Sequence, residues 1–252
     1  MKKKFYIFLL TCAGITLYQL PSMCAGSILA SLMQSSKAVV QVHARAAGLS
    51  SSPTKSFIDK KTGQLIQQQS LRSIVQENKG GGIIIDPSGI VATNLHTIRN
   101  ARQILIVMRN GDQFGAELLH VAPEKDLALL RIRGKTDYPY LRFADSDKSK
   151  IRHKVYSVGS SNYLENTISE GSITGKGRTG KKDRSKSVDL LTLSFKVYPG
   201  DSGSPIFDEK GDLLGITIAG KAKGRGFTVA LASNEIVEEL KAYEAKEIAA
   251  NA

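Results

Sequence analysis

The sequence predicts an all-β protein organised as one unit. Its 252 residues include 23 glycines, which suit a fold with many tight turns. Short runs rich in Val, Ile and Leu recur along the chain and are bounded by Gly, Asp, Ser and Pro, as β-strands are. No internal repeat indicates a solenoid. A chain of this length fits a single all-β domain.

The N-terminus has the pattern of an export signal. Residues 2–4 are lysines, residues 5–20 are mostly apolar, and residues 21–26 supply small side chains for cleavage. We predict a signal peptide over residues 1–25 and a mature protein over 26–252. A retained membrane anchor is the alternative, although the apolar stretch is shorter than the about 20 residues of a membrane span.

Both cysteines belong to this N-terminal region. Cys12 lies inside the apolar stretch and Cys24 lies beside the predicted cleavage position. The mature protein would then contain no cysteine and no disulfide, even in an oxidising compartment. This argues against a disulfide-bonded secreted protein and favours the bacterial envelope, periplasmic or secreted.

Residues 50–78 follow the first predicted strand and are rich in Ser, Lys and Gln. Their composition predicts a mobile, partly disordered loop. The next segment, 80–96, begins with three glycines and continues as a strand over 83–85, a D-P-S-G turn and a returning strand over 90–93. His96 follows that strand directly, where a rigid scaffold passes into a loop.

His96 is the predicted general base, and Asp126 is the predicted acid that orients it. Asp126 opens the apolar run D-L-A-L-L-R-I, where a partly buried carboxylate needs a partner such as an imidazole N–H. The competing side chains lie in strand, turn or polar settings that ask for no catalytic partner: His43, His120, His153, Asp112, Asp145 and Asp147.

The segment P-G-D-S-G-S-P, residues 199–205, predicts a nucleophile. Ser202 needs a base to accept its proton, and the glycines beside it let the backbone N–H groups of Gly200 and Ser202 point into one oxyanion hole, with Asp201 in support. The chain order His96, Asp126, Ser202 is the order of the chymotrypsin arrangement.

These segments together resemble the HtrA (Deg) type of trypsin-like serine protease. The resemblance rests on the residues around His96, on N-G-D-Q-F-G-A-E-L and P-E-K-D-L-A-L-L-R-I, on L-R-F-A-D-S-D-K with V-Y-S-V-G-S, and on residues 199–220. It extends over roughly residues 37–240. Asp201 and Ser204 stand where that family usually has Asn and Gly.

The resemblance implies a fold of two six-stranded antiparallel β-barrels, about 37–145 and 150–232, with a helix over about 233–247 and no PDZ domain. It implies a serine endopeptidase acting on unfolded or exposed protein segments, often assembled as a trimer, without metal or organic cofactor. A latent or inactive protease-fold protein that acts as a chaperone or binding module is the alternative function.

The resemblance also implies where substrate binds. The segment Ile218, Ala219 and Gly220 would pair with the extended substrate, and Val197 would line the specificity pocket. Lys196 lies near the position of the specificity acid in trypsin. If its ammonium points into the pocket, acidic side chains are preferred; if it points out, aliphatic ones are.

Charge is the other feature with functional content. The formal net charge is +12, and removal of the three N-terminal lysines lowers it to +9. The excess concentrates in residues 176–186 and 221–225, which the resemblance puts at the rim of the active site. A basic rim would attract acidic substrates or an anionic envelope surface, unless these are merely solvated loops. Nucleic-acid binding is not supported, since no aromatic residue interleaves the basic runs and the chain has no Trp.

Overall fold

The computed structural model describes residues 20–51, 55–58, 65–68, 71–134, 136–159, 167–179, 187–198, 200–218 and 228–250. Within these ranges the chain forms two closed antiparallel β-barrels of six strands each, followed by a C-terminal helix. The predicted fold class, two trypsin-like barrels, is confirmed.

The first barrel closes in the strand order β1-β4-β5-β8-β7-β6. A tight turn joins β4 to β5, in which the Gly89 N–H donates to the Asp86 carbonyl at 3.0 Å and Gly89 adopts a φ of +89°. This is the turn that D-P-S-G predicted. The strands of the barrel are β1 (Val39–Ser51), β4 (Leu71–Ile84), β5 (Ile90–Asn94), β6 (Gln103–Val107), β7 (Gln113–Ala122) and β8 (Leu127–Ile132).

Part of the region predicted to be a mobile loop is strand instead. Strands β1 and β4 stay paired without a break from Val39 opposite Ile83 to Ser51 opposite Leu71. A short two-stranded sheet of β2 (Lys55–Ile58) and β3 (Leu65–Gln68) lies between them in the sequence. Strand pairing uses backbone groups, which polar residues carry as well as apolar ones, so composition gave the wrong prediction here.

The second barrel closes in the order β10-β11-β14-β13-β12-β9. An isolated parallel bridge between Phe143 and Leu213 ties the segment that connects the barrels to the second one. The strands are β9 (Lys154–Val158), β10 (Ile168–Thr179), β11 (Val188–Leu193), β12 (Pro205–Phe207), β13 (Leu213–Ile218) and β14 (Thr228–Ala232).

Within the described ranges, three α-helices accompany the barrels: α1 (Leu20–Ser35), the short α2 (Leu95–Ile98) and α3 (Ser233–Ala250). The predicted signal cleavage position falls within α1. The C-terminal end of α1 packs on the second barrel, where the Ser35 hydroxyl donates to the Gly211 carbonyl at 2.7 Å. No helix within the described ranges is both long enough and apolar enough to cross a membrane.

The core is divided into a larger and a smaller apolar cluster. The larger one fills the first barrel and continues into the junction of the barrels, where Phe207, Leu213 and Ile236 join it. The smaller one fills the second barrel around Ile173, Leu193 and Ile206. The continuous packing across the junction fixes the edge of one barrel against the other, and the predicted site residues lie at that junction.

Candidate active site

The first barrel contributes His96, which sits in helix α2 directly after β5. Its ring Nδ1 lies 2.6 Å from Asp126 Oδ2, and its backbone N–H donates to Asp126 Oδ1 at 2.9 Å. A carboxylate can only accept, so Nδ1 carries the hydrogen and Nε2 is left as an acceptor. The His96 side chain is 38% exposed, so this acceptor is within reach of a second group or a substrate.

Asp126 is held in place by its backbone as well as by His96. It ends the 3-10 turn Pro123–Lys125 in the left-handed conformation, with φ 50° and ψ 40°. Asp is one of the few residues that adopt this conformation readily. Its carbonyl accepts the Leu95 N–H at 3.0 Å and the Asn94 amide at 3.2 Å. The carboxylate therefore faces α2 in one orientation, as an acid that orients an imidazole must.

The second barrel contributes Ser202, in the turn that precedes β12. The Asp201 N–H donates to the Tyr198 carbonyl at 3.0 Å, and Gly200 has a φ of +99°. A positive φ is a conformation that favours Gly at this position. Beyond Ser202, the Gly203 N–H donates to the Thr217 carbonyl at 2.8 Å. Gly203 has a φ of +83°, so the glycines on both sides of Asp201 and Ser202 have a positive φ, which lets the chain reverse direction around the serine.

The backbone donors of this turn divide into engaged and free groups. Among the residues that the structure describes, neither the Gly200 N–H nor the Ser202 N–H donates to a protein acceptor. The Asp201 N–H is engaged with Tyr198, so Asp201 can support an oxyanion hole only by fixing the turn. Two N–H groups two residues apart, neither with a protein acceptor in the described part of the chain, are a donor set suited to an oxyanion.

The barrels meet at the glycines of β4. The Gly81 N–H donates to the Ser202 carbonyl at 2.6 Å. A Cβ placed on Gly80 would come within 2.8 Å of the Thr97 side chain and within 2.9 Å of the Ser202 carbonyl. The residue after His96 and the carbonyl of Ser202 therefore both lie close to the same position on Gly80. The missing side chain of Gly80 lets the serine turn approach the histidine helix closely.

Two residues that the sequence analysis missed hold the site. The buried Thr217 of β13 accepts the N–H groups of Gly203 and Ser204 and donates its hydroxyl to the Asp201 carbonyl. Lys125, beside Asp126, is buried against three carboxylates of α3. A polar residue inside the apolar run L-L-G-I-T-I was the available signal for Thr217. Lys125 gave none, because its partners lie more than 100 residues away in the sequence.

The predicted substrate residues are described only in part. Lys196 is exposed, Val197 is partly exposed, and Ile218 ends β13 partly buried. Ala219 and Gly220 lie outside the described residues, as do residues 180–186 and 221–225 of the basic runs. In the described part of those runs the cations are engaged: Lys176 donates to three carbonyls of residues 146–149, and Arg178 pairs with Asp189.

Comparison with known proteins agrees with this architecture. The model of the trypsin-like peptidase domain family matches residues 80–216, more than half of the chain. The segment contains the three predicted catalytic residues, His96, Asp126 and Ser202. Two six-stranded barrels with an imidazole, a carboxylate and a serine at their junction are the features of a trypsin-like peptidase.

The chain is also similar to individual relatives and solved structures. A probable periplasmic DegP-like serine endoprotease of Ectopseudomonas mendocina is 28% identical over 75% of this chain and 40% of its own length. A second, from Pseudomonas putida, is 31% identical over 60% of this chain and 31% of its own. An HtrA-type protease, AlgW, solved with a tripeptide, shares the fold with a TM-score of 0.66 at 21% identity, over 85% of this chain and 62% of that one. The chain belongs to the trypsin-like peptidase domain family, is similar to these DegP-like and HtrA-type proteases, and spans less than half of the two curated relatives.

Proposed function

We propose that this chain is a serine endopeptidase that cleaves unfolded or exposed protein segments through His96, Asp126 and Ser202. The observation that supports this best is the double contact of Asp126 with His96, through ring Nδ1 at 2.6 Å and backbone N–H at 2.9 Å. It leaves Nε2 as the acceptor, the state in which a histidine serves as a general base.

The mechanism follows from these groups. His96 Nε2 takes the proton of the Ser202 hydroxyl as its oxygen attacks the peptide carbonyl, and Asp126 stabilises the imidazolium. The Gly200 and Ser202 N–H groups stabilise the negative charge on the attacked oxygen. His96 then protonates the leaving amine, and water, activated by the same imidazole, releases the acyl group from Ser202.

We expect a preference for small or medium aliphatic side chains before the scissile bond, with the ammonium of the exposed Lys196 lying outside the pocket. Val197 then lines the pocket, and the substrate pairs as an extended strand along Ile218, Ala219 and Gly220. Cleavage of a random peptide library tests this preference. Enrichment of Asp or Glu before the cleaved bond would contradict it.

The cellular setting is part of the same proposal. The relatives' names include the word periplasmic, and residues 1–25 have the composition of a signal peptide. An exported protease that favours unfolded segments would act in protein quality control of the envelope. Homotrimeric assembly and attraction of acidic substrates by the basic runs also belong to the proposal. The molar mass in solution and the salt dependence of cleavage test them.

The deciding experiment compares the purified chain with its Ser202→Ala variant on casein. We expect turnover by the first and none by the second, and labelling of the first alone by a serine-directed phosphonate. Ser88→Ala, in the exposed turn between β4 and β5, is the matched control and should cleave like the parent. Absence of both turnover and labelling would contradict the protease and favour a latent, chaperone-like protein.

A further inference from the structure

Lys125 lies in a buried charged cluster that the proposed mechanism does not use. Its ammonium is 2.8 Å from Glu235, 2.6 Å from Glu238 and 2.8 Å from Glu239, and its side chain is only 8% exposed. Residues 235, 238 and 239 are spaced so that one face of α3 presents all three carboxylates. Three carboxylates on one face of α3 therefore bind a single lysine of the first barrel.

The cluster extends to both barrels. His120 of β7 lies 2.7 Å from the second carboxylate oxygen of Glu239, and the Asp189 N–H of β11 donates to Glu235 at 2.8 Å. Burial alone would lower the pKa of Lys125, but the hydrogen bonds that its ammonium donates to Glu235, Glu238 and Glu239 outweigh burial, and the pKa is raised. The lysine is therefore charged at physiological pH.

Stability is a weak reason for such a cluster, because the desolvation of buried charges offsets much of their attraction. A fixed geometry is a better reason. Lys125 is the last residue of the 3-10 turn, and Asp126 follows it in the left-handed conformation. A residue in this sparsely populated region stays there only when its surroundings determine it. The carboxylates of α3 fix the residue directly before Asp126.

We propose that Lys125 is a positioning residue, through which the carboxylates of α3 hold the Pro123–Lys125 turn and thereby aim Asp126 at His96. This inference rests on the proposed function. It makes the C-terminal helix a part of the catalytic apparatus, although none of its residues touches His96, Asp126 or Ser202 in the described hydrogen bonds.

The test uses Lys125→Met, which keeps the length of the stem and removes the charge, and Lys125→Arg, which keeps the charge. Tyr243→Phe is the matched control, because Tyr243 joins the same helix to Arg131 of β8, away from the turn. We expect kcat on a peptide substrate to fall roughly tenfold or more in Lys125→Met, with KM within about twofold, since small misplacements of a catalytic group are costly. Lys125→Arg should regain most of this kcat, and Tyr243→Phe should lose none.

Proton NMR reads the positioning directly. The hydrogen between His96 Nδ1 and Asp126 lies in a short, charge-assisted hydrogen bond, and its resonance should appear far downfield. On a Ser202→Ala background, which excludes self-cleavage, we expect this resonance in Lys125→Arg and Tyr243→Phe and its loss in Lys125→Met. A folded Lys125→Met with parental kcat and the resonance intact would overturn the inference.

Two further comparisons keep the test decisive. If Lys125→Met does not fold, Glu239→Gln replaces it: a parental kcat and an intact resonance there would overturn the inference, and a reduced kcat with unchanged KM would support it. If the parent protein is inactive but its downfield resonance is lost in Lys125→Met, the result contradicts the proposed protease function and supports the positioning role of Lys125. If the parent is active and neither Lys125→Met nor Glu239→Gln changes its kcat, the result contradicts the positioning role alone.

Discussion

At the scale of the residue, Asp126 combines a backbone requirement with a chemical one. Its φ of 50° demands a residue that tolerates the left-handed conformation, and its carboxylate accepts two hydrogen bonds from His96. Asn tolerates that conformation equally well. Substitution by Asn therefore separates the charge from the geometry, which substitution by Ala does not.

We predict that Asp126→Asn leaves the fold intact and lowers kcat by a factor on the order of 10³–10⁴, because the amide stabilises the wrong imidazole tautomer and no imidazolium. Peptide hydrolysis gives kcat, and the thermal midpoint serves as the control for folding. A kcat within tenfold of the parent would show that another group orients His96.

Gly203 lies where the turn of Ser202 packs against β4 of the first barrel. A Cβ there would lie 2.2 Å from the Gly81 carbonyl oxygen, and the φ of +83° adds strain for any other residue. We predict that Gly203→Ala destabilises the protein by roughly 1–3 kcal/mol and displaces Ser202, with loss of cleavage. Urea unfolding and casein turnover measure the two effects. Gly115→Ala, whose Cβ would meet only Arg133 at 3.9 Å, should change neither.

The sequence predicts the three catalytic candidates of the site but not the residues that support them. The order and settings of His96, Asp126 and Ser202 led to their selection, because each lies in a short segment whose turns and strands are encoded locally. Lys125 and Thr217 were not predicted, because their roles depend on partners brought together by barrel closure. The carboxylates that bind Lys125 follow it by more than 100 residues in the sequence.

At the scale of the element, strands and turns encoded by their own local sequence were predicted correctly. Strands whose extent depends on pairing with a distant strand were not. The hairpin of β4 and β5 followed from short runs rich in β-branched residues and a D-P-S-G turn. The long pairing of β1 with β4 over Val39–Ser51 did not follow, because such a pairing is specified by register with the neighbouring strand.

Strand β10 shows how a basic run can serve the fold. Lys176 donates to the carbonyls of Ser146, Asp147 and Ser149, which end the 3-10 turn Ser146–Lys148. We predict that Lys176→Met lowers the free energy of unfolding by about 1 kcal/mol, because exposed charged hydrogen bonds contribute modestly. Urea unfolding measures this. Lys148→Met, which removes a largely exposed ion pair with Asp145, is the control and should have a smaller effect. An equal or larger loss in Lys148→Met would contradict the role of Lys176.

At the scale of the whole molecule, the candidate site exists only because two barrels are joined. His96 and Asp126 come from the first barrel and Ser202 from the second, and the core cluster continues across the junction. Helix α3 follows the second barrel yet binds Lys125 of the first, so it bridges the same junction. Conditions that weaken the junction should therefore affect activity and global stability together.

Acid lowers the stability of the fold through several groups, of which His43 and Glu239 are two. The pKa of His43 is lowered, by burial first and by Lys79 second, so the unfolded chain binds more protons than the folded one just below the ordinary value of 6.5. Stability therefore rises with pH through that window. Burial would raise the pKa of Glu239, but the hydrogen bonds from Lys125 and His120 have the larger effect, and the pKa is lowered. Its contribution is present above the ordinary value of 4.5 and is lost as the pH falls through the lowered pKa.

We predict that the free energy of unfolding falls in two stages on acidification, the first beginning near pH 6.5 and the second below pH 4.5. His43→Gln should flatten the first stage, because a glutamine at this half-buried position has no proton to gain. Glu239→Gln should reduce the second. Urea unfolding at a series of pH values, followed by fluorescence of the tyrosines, measures both slopes. If the slope above pH 5 were the same in His43→Gln and in the parent, the early loss of stability would have to come from another histidine, and the burial of His43 would carry no cost.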